Sequence, residues 1–183
     1  MRILAFTEDS PYVAGANLVF VRLCRLLGTK HGVVLLSNHG STEKVLDYSS
    51  AEIRFHLPRY PFSRFASFAF FILTRGLREA LRKDVILVNA GMTAILGLAL
   101  ARLTRTKAVA YQHDVFFLEE LLPNAHGVRR KIIAIIRYGM YQGFMSHFDS
   151  VLAPSPETER RLRKLGCKKI YVTGNPIFGE ENV

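Results

Sequence analysis

At 183 residues the chain is long enough to close a hydrophobic core as one domain, 1–183, and 49% hydrophobic against 22% charged residues excludes wholesale disorder. A formal net charge of +10 points to an anionic partner: a phosphorylated small molecule, a lipid surface or nucleic acid. Two cysteines, Cys24 and Cys167, with no CxxC pair, exclude a disulfide framework and imply a cytoplasmic chain with reduced thiols.

The N-terminus, MRILAFTEDS, turns acidic too soon for a signal peptide. Its apolar start predicts a strand over residues 2–6, ending in Thr7, Glu8 and Asp9. A loop broken by Pro11, Gly15 and Asn17 leads to a helix over 18–28, with Val19, Leu23, Leu26 and Leu27 at helical spacing. Strands follow at 33–37 and 52–57, separated by a polar connection with room for one helical turn near Val45. Residues 61–83 predict one long helical segment rich in Phe and Arg. Its longest apolar run, 66–73, is well short of the ~20 residues that cross a membrane. The chain is therefore not expected to span a membrane, although it can still lie on one.

A fourth strand, 84–89, ends in Asn89, Ala90 and Gly91, and a helix of small residues follows over 93–103. Residues 107–114, KAVAYQHD, form the stretch around which the rest is organised. An apolar strand stops there on Gln112, His113 and Asp114. A short helix to Leu122, a break at Pro123 and Asn124, and a long helix from 128 to about 147 come next. Then follow a strand at 149–153, a helix at 156–165 with Ser155 as N-cap and Gly166 as stop, and a strand at 169–173. Strands alternating with helices predict an α/β fold: a doubly wound, mostly parallel sheet of about seven strands with helices on both faces.

Ligands in such sheets bind beyond the carboxyl ends of the strands, so polar strand ends are the candidate site. His113 and Asp114 fit this, although they equally suit a turn that caps the next helix. The loop around Gly15 sits where a phosphate-binding loop would, yet it carries neither GxGxxG nor GxxxxGK[ST], and a lone glycine there also serves as punctuation. The six histidines show no HExxH and no spacing shared with carboxylates, so no metal site and no cofactor is expected. GxSxG is absent, which excludes an esterase elbow. Glu119 and Glu120 are read as solvating their helix. Two basic-apolar segments, 59–83 and 129–148, either cover the sheet or face an anionic membrane. The second is expected to set Ile132, Ile133, Ile136, Met140 and Phe144 on one stripe with Arg130 and Arg137 near its edge.

The blocks MRILAFT with its Ala14-Gly15 loop, VRLCRLL, DVILVNAG, AVAYQHD and DSVLAPSPETERRLRKLGCKKIYVTGNPI occur in an order that resembles the N-terminal, acceptor-side domain of GT-B glycosyltransferases, especially the retaining family 4. That order spans essentially the whole chain. The ending VTGNPI is also similar to the lipid-intermediate glycosyltransferases of cell-wall synthesis.

The resemblance implies that His113 contacts the transferring sugar and that the loop of Ala14, Gly15 and Asn17 approaches the donor phosphates. It implies that Asn89, Gly91, Asp114 and Ser155 line the substrate cleft, and that Asn175 leads into a hinge. It implies a nucleotide-sugar donor held mainly by a second domain, absent here, a lipid-linked or saccharide acceptor, and no metal bridge. Three departures stand out. Ala14 replaces the family's first loop glycine, VFF follows the His-Asp pair where many members are smaller or polar, and the paired-glutamate motif of the second domain is missing. The expectation is half of a glycosyltransferase; the alternative is a non-catalytic membrane-peripheral module. Nothing signals a nucleic-acid recognition module, so nucleic acid is not expected as a partner.

Overall fold

The computed structural model describes the backbone of residues 1–7, 16–38, 51–55, 61–89, 92–113, 115, 117–123 and 126–174. Their strands are β1 (Arg2–Phe6), β2 (Gly32–Asn38), β3 (Ala51–Phe55), β4 (Val85–Asn89), β5 (Lys107–Tyr111), β6 (Ser150–Ala153) and β7 (Ile170–Val172). They form one sheet in the order β3-β2-β1-β4-β5-β6-β7, every pairing parallel, with three-residue β7 completing one edge. The middle strand is β4. The stretch 107–111 lies one place from the middle. The helical turn allowed for near Val45 lies outside the described residues.

The helices are α1 (Ala16–Gly28), α2 (Pro61–Phe71), α3 (Leu77–Ala80), α4 (Met92–Thr104), α5 (Leu118–Leu121), α6 (Val128–Met145) and α7 (Pro156–Lys164). The expected single helix over 61–83 is not continuous. A π turn, Ile72–Gly76, joins α2 to α3, and the helix stops at Ala80. Phe68, Ile72 and Gly76, spaced four residues apart, all face the interior through this turn.

Strand alternation divides the interior into two clusters. Ile3, Ala5, Val33, Leu35, Leu87 and Tyr111 pack under Val19, Phe20, Leu23 and Cys24 of α1. Leu4, Phe6, Ile86, Val88, Ala108, Ala110, Val151 and Ala153 pack on the other face under α2, the π turn, α4 and α7. Ring contacts tie helix to sheet on both sides, Phe20 to Tyr111 at 6.1 Å and Phe6 to Phe68 at 6.2 Å. Burial pushes the Cys24 thiol far up and the Cys167 thiol up to about 11, so both remain uncharged.

At the amino edge two aspartates pin neighbouring strands. Asp84 accepts from the Arg2 backbone N–H at 2.7 Å and donates its own N–H to Arg2 O at 2.8 Å. Asp149 does the same with Ala108, at 2.8 Å and 3.0 Å. The Arg2 guanidinium adds a 3.2 Å contact, and the Arg2 hydrogen bonds hold the Asp84 carboxyl below its usual range.

Candidate functional site

Because every strand is parallel, all carboxyl ends share one rim. Four polar residues are buried among the described residues: Thr7, Asn89, Gln112 and Thr158. Three of them sit at the carboxyl ends of β1, β4 and β5, which are consecutive in the sheet. Burying a polar side chain is costly unless it is hydrogen-bonded, so such a row marks a place where the fold commits hydrogen bonds to polar strand ends.

The row begins where the winding reverses. β1 leads to α1 on one face and β4 to α4 on the other, the switch point at which sheets of this kind form a ligand crevice. Thr7 N donates to Leu36 O at 3.2 Å, holding the residue in line with the sheet. Asn89 Nδ2 donates to Thr7 Oγ1 at 3.5 Å across this crevice. Gln112 N donates to Leu152 O at 2.9 Å, so the ladder of β5 runs one residue past its end. His113 follows, half-buried, its Nδ1 shielded from solvent. With strands about 4.8 Å apart, the ends of β1 to β6 span about 15 Å.

The segment after His113 is fastened from α7. Arg161 Nη1 donates to Val115 O at 2.8 Å and to Glu120 Oε2 at 3.0 Å, while Nη2 reaches Glu120 Oε1 at 2.9 Å. The same guanidinium lies 5.6 Å from the Phe117 ring centre, and the Lys164 ammonium 5.8 Å. Glu120 also accepts from Phe117 N at 3.0 Å, half of a capping box at the start of α5. The Phe117 amide and then Arg161 hold the Glu120 carboxyl below its usual range. Glu119 is exposed as expected. Glu120 is not merely a solvating residue: it is the anchor of the loop that carries His113.

Ser155 stands past the end of β6 on the same rim. Its Oγ accepts from Thr158 N at 3.1 Å and lies 3.0 Å from Thr158 Oγ1, so the hydroxyl caps α7. Asn89, His113 and Ser155 are thus brought to one edge. Asn17 falls in the first turn of α1, its side chain outside the description. Ala14, Gly15, Gly91, Asp114 and Asn175 lie outside the described residues. Thr7 and Gln112 were not singled out as site residues from sequence. The available signal was the same one that marked His113: a polar residue closing an apolar strand. Among the described residues no three His, Cys, Asp or Glu side chains cluster as a metal site. The rim as described is built of neutral hydroxyl, carboxamide and imidazole groups.

Comparison with known proteins gives the rim its context. Among solved structures, Anabaena Alr3699/HepE in complex with UDP and glucose superposes with a TM-score of 0.58 at 16% identity, over 96% of this chain and 44% of that one. Phytolacca americana UGT2 complexed with UDP-2fluoro-glucose and pterostilbene gives 0.62 at 12% identity, over 94% and 53%. The lipopolysaccharide outer core galactosyltransferase WaaB in its apo form gives 0.54 at 12% identity, over 95% and 45%. The chain therefore spans about half the length of the structures it matches. No curated protein sequence matches it. The sequence model of Glycosyltransferase Family 4 matches residues 13–178. With the fold of one Rossmann-like half of a GT-B enzyme and a family match over most of its length, the chain belongs to glycosyltransferase family 4.

Proposed function

We propose that residues 1–183 are the acceptor-side half of a glycosyltransferase that moves a sugar from a nucleotide-sugar to a lipid-linked or membrane-proximal acceptor at the cytoplasmic face of a membrane. The observation that carries this reading is the row of buried polar strand ends Thr7, Asn89 and Gln112 beside His113, at the crevice where the sheet reverses its winding. Such a row holds a sugar by its hydroxyls, with His113 beside the reacting carbon. The solved neighbours that carry UDP or UDP-sugars support a nucleotide-sugar as donor.

Transfer in this fold needs the acceptor on one half to meet the donor on the other. Holding both in reacting geometry supplies up to ~7–11 kcal/mol in well-oriented systems. The test is radiolabelled transfer from a panel of nucleotide-sugars to lipid extracts, using residues 1–183 alone and with a family-4 donor-binding domain fused or added. No measurable transfer alone and transfer with the donor half is the expected result. Robust turnover by residues 1–183 unaided overturns the half-enzyme reading. Failure of every donor and acceptor in both formats leaves a non-catalytic binding module as the better account.

A further inference from the structure

We infer that the outer face of α6 is a docking surface for an anionic lipid bilayer. Among the described residues twelve large apolar side chains are exposed, and four of them, Val128, Ile132, Ile135 and Ile136, fall within nine consecutive residues. Their exposures of 75%, 51%, 50% and 54% leave half or more of each side chain in water. At about 100° per residue the four occupy one arc of about 100°, while Tyr138 and Met145, which meet the core, lie about 110° and 130° from its centre. The exposed stripe is therefore not the core-facing side of the helix but a second apolar face. It differs from the stripe expected from sequence. Phe144 is half-buried against the core, Ile135 joins Ile132 and Ile136 outside, and Ile133, Arg137 and Met140 have no described side chains.

Charge selects the occupant. Arg129 and Lys131 border the stripe on either side, and α6 contains no acidic residue; Arg130, expected near the stripe's edge, is exposed but falls on the opposite side of the helix. A stripe flanked by cations fits the boundary between acyl chains and anionic headgroups, where isoleucines insert and arginines meet phosphates. Among the described residues no helix is long and apolar enough to cross a membrane, so contact is along the surface.

The placement has a direction. α6 ends just before Asp149, at the amino edge, and its 18 residues run back about 27 Å. A five-residue strand covers only about 17 Å. Val128 and the isoleucines thus lie towards the carboxyl rim, and α5, which follows the His113 loop, touches α6. Docking here brings the rim to the headgroup layer. The inference rests on the proposed membrane-proximal acceptor and names the surface that reaches it.

The experiment is co-sedimentation of the full chain with phosphatidylcholine vesicles, with and without phosphatidylglycerol, at low and high salt. Binding only to the anionic vesicles, weakened by salt, is expected. Each basic residue at such a surface strengthens binding about five-fold. Arg129→Glu with Lys131→Glu is therefore expected to reduce binding by about 25-fold or more, and Ile132→Ser with Ile135→Ser and Ile136→Ser by at least ~10-fold. All five positions are exposed, and circular dichroism checks the fold. Should the isoleucine variant fail to fold, the charge-reversal pair carries the test alone. Equal binding to both vesicle types, binding to neither, or wild-type binding by the charge-reversal pair overturns the proposal. Self-association that the isoleucine variant abolishes, without vesicle binding, assigns the stripe to a second copy and overturns it too. Vesicle binding is read without transfer. Transfer to a detergent-dispersed acceptor with no vesicle binding sinks this inference alone, and vesicle binding without transfer sinks only the enzymatic reading.

Discussion

Gly97 of α4 rests directly on Val88, the residue before Asn89 in β4. A Cβ built on Gly97 would overlap Val88 Cγ1 and lie 3.0 Å from Phe6 Cζ. The close approach of helix to strand sets the height of α4 beside the crevice and so the position of the Asn89 end. Gly97→Val is expected to destabilise by about 1–3 kcal/mol or more through overpacking, which outweighs the roughly 0.4 kcal/mol of helix propensity that valine gains over glycine. Thermal melting checks it: a fall of ~2–4 °C per kcal/mol is the scale for a chain of this size. An unchanged melting temperature would show that α4 can shift at no cost.

The Glu120 anchor gives a pH signature. Its folded carboxyl is held below the ordinary value of 4.5, first by the Phe117 amide and then by Arg161. The contribution is therefore fully present above about 4.5 and is lost as pH falls through the lower folded value. Wild type is expected to melt higher than Glu120→Gln at pH 7, with the difference shrinking as the buffer is taken below about 4.5. A gap independent of pH would mean that the carboxylate charge is not what matters.

His113→Ala in a chain supplied with a donor domain is expected to lower turnover by ~100-fold or more with the fold intact, the scale of a positioned polar group at a reacting centre. Steady-state rates paired with circular dichroism decide it. Turnover near wild type would make His113 a loop residue only.

Ser155 separates capping from binding. Ser155→Ala removes the N-cap of α7 and is expected to cost ~1 kcal/mol, and Ser155→Asp to recover it. If Ser155 also contacts substrate, transfer stays impaired in the aspartate variant after stability returns. Recovery of both together would confine Ser155 to its cap.

Much of this was legible in the sequence because it is local. Strand-forming runs bounded by polar residues, glycine or proline gave all seven strands, and Ser155 before Pro156 with Gly166 after the helix gave both ends of α7; Gly166 adopts the left-handed φ of +85° that such a stop requires. What was missed depends on partners distant in sequence. Glu120 looked like a solvating residue because Arg161 lies 41 positions away. Thr7 gained weight only when β4, inserted from 82 residues on, brought Asn89 beside it. The π turn was invisible because Ile72–Gly76 has no breaker other than its last residue. α6 was phased only in part, with Ile132 and Ile136 on the exposed stripe but Phe144 against the core, because a helix apolar on two faces offers no unique stripe until one face is seen against the core.

The strand order carries a consequence for synthesis. Taken in the order the ribosome delivers them, β2 joins β1, β3 joins β2, β4 takes the free side of β1, and β5, β6 and β7 each add outside the last. No strand must wedge between two already placed. A nascent chain can lengthen its sheet at whichever margin is open, and Asp84 and Asp149 each reach back to a strand already laid down. Translation pauses once β4 or β5 has emerged from the ribosome would therefore leave a growing but coherent intermediate, whereas circular permutation that delivers β4 last would force a central insertion and slow assembly.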